Sequence, residues 1–171
     1  MKTIGILSDT HGTVDARLYD FFAPCQELWH AGDMGGLEVA DELAAFRPLR
    51  GVYGNMDGWD VRGVYPEVQR FMCEDVDVLM VHIGGYPGRY EPTVESMIRA
   101  KAPQLFVCGH SHILKVVNCP RYHLLHINPG AMGFSGIHQV RTAVRLVVDG
   151  GRMHDLEVLE LPRSRTSPGV S

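Results

Sequence analysis

The sequence predicts an α/β domain that carries a second, strand-rich sheet, and three observations lead there. Two β-loop-α units follow one another near the N-terminus, the second half holds strand-like runs without intervening helices, and 171 residues fit one domain able to bury a core between layers. Hydrophobic residues make up 45% and charged residues 21%, a mixture that folds rather than staying disordered.

In chain order, Ile4 to Leu7 is a short apolar run closed by the polar turn Ser8-Asp9-Thr10-His11-Gly12. Leu18, Phe21 and Phe22 then share a helical face that Pro24 ends. Glu27 to His30 is a second run leading into Ala31-Gly32-Asp33, with Leu37, Ala40, Leu43 and Ala44 at helical spacing behind it. Leu49 to Tyr53 reads as a third strand entering Gly54-Asn55-Met56-Asp57-Gly58, with no clear helix after it. Val68 to Cys73 and Val76 to Val81 read as strands joined by a tight acidic turn. The second ends at His82, before a Gly/Pro loop through Arg89 that is a candidate site wall. Pro92 to Ala102 is helical by pattern, with Pro92 in the first turn and Val94, Met97, Ile98 and Ala102 as its apolar stripe.

Leu105 to Cys108 is a strand ending at Gly109-His110-Ser111-His112. Val116-Val117, Leu124 to Ile127, Ala143 to Val148 and Met153 to Leu161 are strand-like, the last two joined at Asp149-Gly150-Gly151, and together they imply the second sheet. The domain is expected to occupy 1–161, and residues 162–171, polar with Pro and Gly, to form a disordered tail.

A net charge of -4 gives no general basic surface for a nucleic acid. Cys25, Cys73, Cys108 and Cys119 show no CxxC spacing and lie in or beside apolar runs, as buried thiols in a reducing compartment do. The strand-like start is too short and too quickly polar for a signal peptide, and no apolar stretch approaches membrane-spanning length, so a cytoplasmic protein is expected.

Five apolar strands each end in a polar cluster: Asp9 with His11, Asp33, Asn55 with Asp57, His82, and His110 with His112. In open α/β sheets ligands gather beyond the carboxyl ends of strands, so these side chains would meet in one crevice. Imidazole suits zinc, iron, manganese or nickel, a carboxylate can bridge two cations, and an amide oxygen can complete a shell. Taken singly, four of the clusters have a plainer explanation: Asp9 as a helix cap or Asx-turn, Asp33 as a turn residue, Asn55 and Asp57 as turn chemistry between glycines, His82 as a hydrogen-bonded core histidine. The His110-Ser111-His112 pair is more specific, because alternate residues in extended chain point to opposite sides and the loop must curve to use both. Independent capping and turn rules do not explain all five at strand ends.

With these residues in this order, the chain resembles the calcineurin-like metallophosphoesterase superfamily, whose motifs are D-x-H, G-D, G-N-x-D/E, a strand-end histidine and G-H-x-H. They stand here as Asp9-Thr10-His11, Gly32-Asp33, Gly54-Asn55-Met56-Asp57, His82 and Gly109-His110-Ser111-His112. The likeness is to the small bacterial and archaeal phosphodiesterase branch and runs from Met1 to about Leu161. Asn128-Pro129-Gly130 looks like a family loop passing near the site. The resemblance implies a four-layer α/β/β/α sandwich of two mixed β-sheets flanked by helices. It also implies one metal held by Asp9, His11, Asp33 and His112 and another by Asp33, Asn55, His82 and His110, with Asp33 bridging. The cofactors would be two divalent ions, manganese first, with nickel, iron or zinc as alternatives.

The catalytic set implied is Asn55, Asp33 and His82, and the reaction is hydrolysis of a phosphate ester by in-line attack of a hydroxide bridging two metal ions. Asn55 would also orient the phosphate, and Asp57 would hydrogen-bond a histidine ligand and fix its tautomer. Two departures stand out. Many superfamily phosphatases place a histidine directly after the motif Asn, where this chain has Met56, and the strand-end motif is often H-G-H, where it has His82-Ile83-Gly84-Gly85. Without that acid, esters with good leaving groups, such as aryl esters, should be favoured. Arg89, in the Gly84 to Arg89 loop, is a candidate phosphate or substrate contact, with a solvated surface arginine as the equal alternative.

The reading is a phosphodiesterase acting on a small phosphate ester, with neither membrane nor nucleic acid as partner and self-association left open. Two other classes remain. One is a scaffold, since the superfamily includes a retromer subunit with this fold; the retained ligand set speaks against it. The other is a nuclease, which would need a basic track for a long polyanion.

Overall fold

Alternation along the first strand sets the layering. In β1 (Lys2–Leu7), Ile4 and Ile6 point into one fully buried cluster and Leu7 into another on the opposite face, the two-residue period of a strand covered on both sides. The computed structural model describes residues 1–163. The last strand runs through Pro162, and the tail expected over 162–171 lies outside the described residues from 164 onward.

After β1 come α1 (Arg17–Phe21), β2 (Glu27–His30), α2 (Leu37–Phe46), β3 (Leu49–Gly51) and α3 (Trp59–Arg62). Then follow β4 (Val68–Cys73), β5 (Val76–Val81), the small hairpin β6 (Gly85–Tyr86) and β7 (Arg89–Tyr90), and α4 (Pro92–Ala100). The chain ends with β8 (Leu105–Val107), β9 (Leu114–Cys119), β10 (Leu124–Pro129), β11 (Val140–Asp149) and β12 (Arg152–Pro162).

Two five-stranded sheets result, ordered β12-β11-β1-β2-β3 and β4-β5-β8-β10-β9. Each is mixed: β1, β2 and β3 run parallel, as do β5, β8 and β10, while β11, β12, β4 and β9 are antiparallel to their neighbours. Ile4, Ile6 and Trp29 of the first sheet pack against Val78, Met80, Leu105 and Val107 of the second. Outside the first sheet lie α1 and α2 through Leu18, Val39, Ala40 and Leu43, and outside the second lies α4 through Val94 and Ile98 on Leu79, Val81 and Phe106. This is the α/β/β/α sandwich.

Four local expectations need correction. Ala102, expected in the apolar stripe of the fourth helix, is exposed and lies past its end at Ala100. The buried stripe of α2 is centred on Val39, Ala40 and Leu43 with Leu37 and Phe46 at its edges, so Ala44 faces solvent. A one-turn helix, α3, follows Gly58 where none was expected; with Val61 its single buried residue, it is too short to show a period. The Gly/Pro loop after His82 holds the β6–β7 hairpin. In α4, Glu91 acts as the N-cap, its carboxylate accepting from the Thr93 and Val94 N–H groups, with Pro92 directly after it. Among the described residues no helix is long and apolar enough to cross a membrane, and the four cysteines are buried and unpaired.

Candidate metal centre

The carboxyl ends of the parallel strands of both sheets meet at one edge of the sandwich. Asp9 and His11 follow β1, Asp33 follows β2, Asn55 follows β3, His82 follows β5, and His110 and His112 follow β8. Backbone hydrogen bonds tie these ends together: Asp9 N–H to Gly32 O at 2.9 Å, His11 N–H to Asp33 O at 3.1 Å and Gly109 N–H to His82 O at 2.9 Å. Asn128, at the end of β10, donates to Gly109 O and Ser111 Oγ, each at 3.0 Å, so the Asn128-Pro129-Gly130 segment does pass the site and holds the His110 loop.

Turning each strand end sharply enough to gather these side chains requires unusual backbone. Among the described residues, eight non-glycine positions have positive φ, and five of them are Asp9, His11, Asp33, His110 and His112. Left-handed backbone at an ordinary residue costs on the order of 1–3 kcal/mol and persists where the surroundings over-determine it. That strain is concentrated in the predicted ligand set.

The side chains form two adjoining groups, Asp9 with His11 and His112, and Asp33 with His82 and His110, whose donor atoms lie within 4.8 Å of one another inside each group. His112 Nε2 stands 3.2 Å from Asp9 Oδ1, and His82 Nε2 stands 3.1 Å from Asp33 Oδ2. Asp33 Oδ2 also faces His11 Nε2 at 3.9 Å, and Asp9 Oδ1 faces His82 Nε2 at 3.8 Å, so the groups share a boundary. Asn55 Oδ1 and His110 Nδ1 converge at 3.1 Å.

The donor set fits cations. Asp9 and Asp33 are almost fully buried, and Asp9 Oδ1, His11 Nε2 and His82 Nε2 are buried atoms without a hydrogen-bond partner. The other oxygen of Asp9 is satisfied, by Ser8 Oγ at 2.6 Å and the His110 N–H at 3.1 Å, which aims the unpartnered oxygen inward. Asp33 Oδ1 accepts the Met56 N–H at 2.8 Å, leaving Oδ2 toward the imidazoles. His82 donates its Nδ1–H to the Ala31 carbonyl at 2.7 Å, and in the neutral ring the lone pair then lies on Nε2, 3.1 Å from Asp33 Oδ2. Two buried carboxylates facing imidazole lone pairs are unfavourable unless positive charge lies among them.

Without metal, protons supply that charge. Burial raises the Asp9 carboxyl, but the imidazoles of His11, His112 and His82 and the Ser8 hydroxyl outweigh it and hold the group far below the usual carboxylate range. Burial likewise raises Asp33, and His82 with the Met56 N–H outweighs it, so Asp33 is also lowered. Asp9 raises His11, and for His82 the burial that would lower it is outweighed by Asp33 and Asp9, so both imidazoles hold protons more tightly than usual.

All seven predicted ligands, Asp9, His11, Asp33, Asn55, His82, His110 and His112, are brought together. Asp57 takes a different place from the one expected: its oxygens accept the Gly35 and Gly54 N–H groups at 3.1 and 2.8 Å rather than a histidine, pinning the Asp33 loop to the Asn55 loop. Arg89 sits exposed on β7, outside the lining of a cleft of about 540 Å³ that opens beside Asn55 and His82. Arg62 lines that cleft instead, together with Tyr53, Glu67, Ile83, Glu91 and Met97. Its Nε donates to Asp57 O at 2.6 Å and an Nη to Asn55 O at 3.3 Å, with the guanidinium 4.6 Å from the Tyr53 ring centroid. Arg62 was missed because its segment showed no helical period. His138 was missed as well; its ring reaches His112, and a single histidine in a loop far from any motif carries no signal by itself.

The family model described as the calcineurin-like phosphoesterase superfamily domain matches residues 1–151. A probable metallophosphoesterase of Methanothermobacter thermautotrophicus is 26% identical over 117 residues, which span 64% of this chain and 66% of the relative, just under two thirds of its length. Among solved structures, a novel archaeal phosphodiesterase superposes with a TM-score of 0.71 at 20% identity, covering 93% of this chain and 99% of that one. Vps29 of Entamoeba histolytica, solved with zinc, superposes with a TM-score of 0.73 at 14% identity, covering 95% and 99%. At these identities the two structures establish the fold.

Proposed function

This chain belongs to the calcineurin-like phosphoesterase superfamily, and on that premise we propose that it is a phosphodiesterase working with two divalent ions, manganese first, on a small phosphate ester. The observation that carries this is the pair of adjoining donor groups with inward-facing, unpartnered atoms on Asp9, His11 and His82. Asp9, His11, Asp33 and His112 would hold one ion, and Asp33, Asn55, His82 and His110 the other. When bound, such a pair acidifies a water and neutralises the charge of the reacting phosphate.

The chain's own residues do the rest. Asn55, at the mouth of the cleft, orients the phosphate, and Arg62 and Asp57 clamp the loop that carries it. The cleft takes the leaving group: Tyr53, Ile83, Val94 and Met97 offer apolar surface, and the carboxylates of Glu67 and Glu91 disfavour extra negative charge. That favours the singly charged diester over the doubly charged monoester, and a small ester over a polyanion. His82 does not protonate the leaving group, since one nitrogen is committed to Ala31 and the other to the ion site. Solvent does so at the exposed Met56, and aryl leaving groups, which need little protonation, are the best substrates. Arg89 is an outer contact at most. The unpaired cysteines support a reducing, cytoplasmic setting.

Metal-stripped protein, restored with manganese, nickel, zinc or iron one at a time and assayed on aryl phosphodiesters and monoesters, tests the reading. Turnover should return with metal and be faster on diesters. No turnover with any metal would move the assignment to a scaffold on the same fold.

A further inference from the structure

We propose that His138 is a positioning residue that sets the tautomer of His112 and thereby makes it a metal ligand, an inference that rests on reading the strand-end cluster as a metal site. His138 lies in the turn before β11 and is 8% exposed. Its Nε2 is 2.9 Å from the Gly133 carbonyl and its Nδ1 is 3.2 Å from His112 Nδ1, with the two rings edge to face at 79° and centroids 5.0 Å apart. The opposite nitrogen of His112 is the one that stands 3.2 Å from the inward-facing Asp9 Oδ1.

A carbonyl only accepts, so His138 Nε2 carries a proton. In the neutral ring that proton leaves Nδ1 as a lone pair facing His112 Nδ1. Two imidazole nitrogens at hydrogen-bond distance need one proton between them, and it belongs to His112 Nδ1. The Nε2 of His112, 3.2 Å from Asp9 Oδ1, is then the nitrogen left to ligate a cation. Without His138 nothing holds the proton at Nδ1, and the competing form, with the proton on Nε2 beside Asp9, removes His112 as a ligand. His138 therefore does with a neutral acceptor what a carboxylate or carbonyl does behind many metal-bound histidines.

The loop is shaped for this contact. Gly136 has φ 125°, and a Cβ there would overlap His112 Nδ1 and sit 3.0 Å from His138 Nδ1, so its backbone passes directly against both rings.

Two variants test the inference. H138N places an amide oxygen where Nδ1 was and keeps the acceptor; H138F keeps the bulk and removes it. Nitrogen-15 NMR of the metal-free protein reads the Nδ1 proton directly. His112 Nδ1 should carry a proton in the wild type and in H138N, and none in H138F. Calorimetry with manganese should show affinity falling about 10- to 100-fold in H138F and staying within about threefold of wild type in H138N, with unchanged near-ultraviolet circular dichroism in both. A wild-type His112 without a proton at Nδ1, undiminished manganese affinity in H138F, or a wild type that binds no manganese would each overturn the proposal. Intact manganese binding without diester turnover would instead defeat the functional reading and leave His138 judged by its own variants.

Discussion

At the scale of single residues, the site depends on backbone brought closer to side chains than most residues allow. A Cβ on Gly54 would overlap Asp33 Oδ1 and the Asp33 backbone nitrogen. Gly54→Ala must therefore push away the carboxylate of the Asp33, His82 and His110 group, which is proposed to serve both ions. We expect manganese affinity and turnover to fall at least about 100-fold, while the urea midpoint moves far less, because the displaced group is already strained rather than part of the core. Met56 offers the opposite experiment. It is 70% exposed, with its backbone N–H bonded to Asp33, so an imidazole of similar reach is sterically free there. Met56→His should raise kcat/KM for alkyl esters by about 10- to 100-fold through general-acid assistance and leave aryl esters nearly unchanged. A uniform change across both classes would show that the imidazole does not reach the leaving group.

At the scale of elements, legibility followed the strength of the period. Strands covered on both faces, such as Ile4 to Leu7 and Leu105 to Val107, appear in the sequence as short unbroken apolar runs, and the polar cluster that ends each one marks where the chain leaves the sheet. That is why the seven residues that meet at the strand ends are readable in the sequence. The single turn of α3 offers one buried residue and no period, so the helix and Arg62 with it were invisible. Asp57 was assigned to a histidine because a motif gives spacing but not direction; in the fold its carboxylate turns back to two backbone N–H groups. Helix α4 allows its cap to be separated from its place in the cleft. Glu91 accepts from Thr93 and Val94, and Glu91→Ala should cost about 1 kcal/mol in urea denaturation, whereas Glu91→Asp, which keeps an acceptor, should cost less. If both variants lose turnover without losing stability, the carboxylate serves the substrate rather than the helix.

At the scale of the whole molecule, two pairs of histidines titrate stability in opposite directions. His30, fully buried between Thr10 Oγ1 and the Gly32 N–H, and His126, buried against Tyr90 and Cys108, are both lowered by burial to about 4. A histidine whose folded pKa is depressed gives its full stability above the unfolded value near 6.5 and loses it as pH falls toward 4, here by about 3 kcal/mol for each. His11 and His82 are raised by Asp9 and Asp33, so in the metal-free protein their contribution is complete below 6.5 and is lost as pH rises through their folded values. The metal-free protein should therefore be most stable near pH 6.5, with an acid decline from the core pair and an alkaline decline from the strand-end pair. Cations replace the protons on His11 and His82, and they bind more tightly as those protons leave. Urea midpoints at pH 5, 6.5 and 8, with and without manganese, should show metal abolishing the alkaline decline and leaving the acid decline intact. An alkaline decline that persists with saturating manganese would mean that the strand-end imidazoles and the cations do not compete for the same lone pairs.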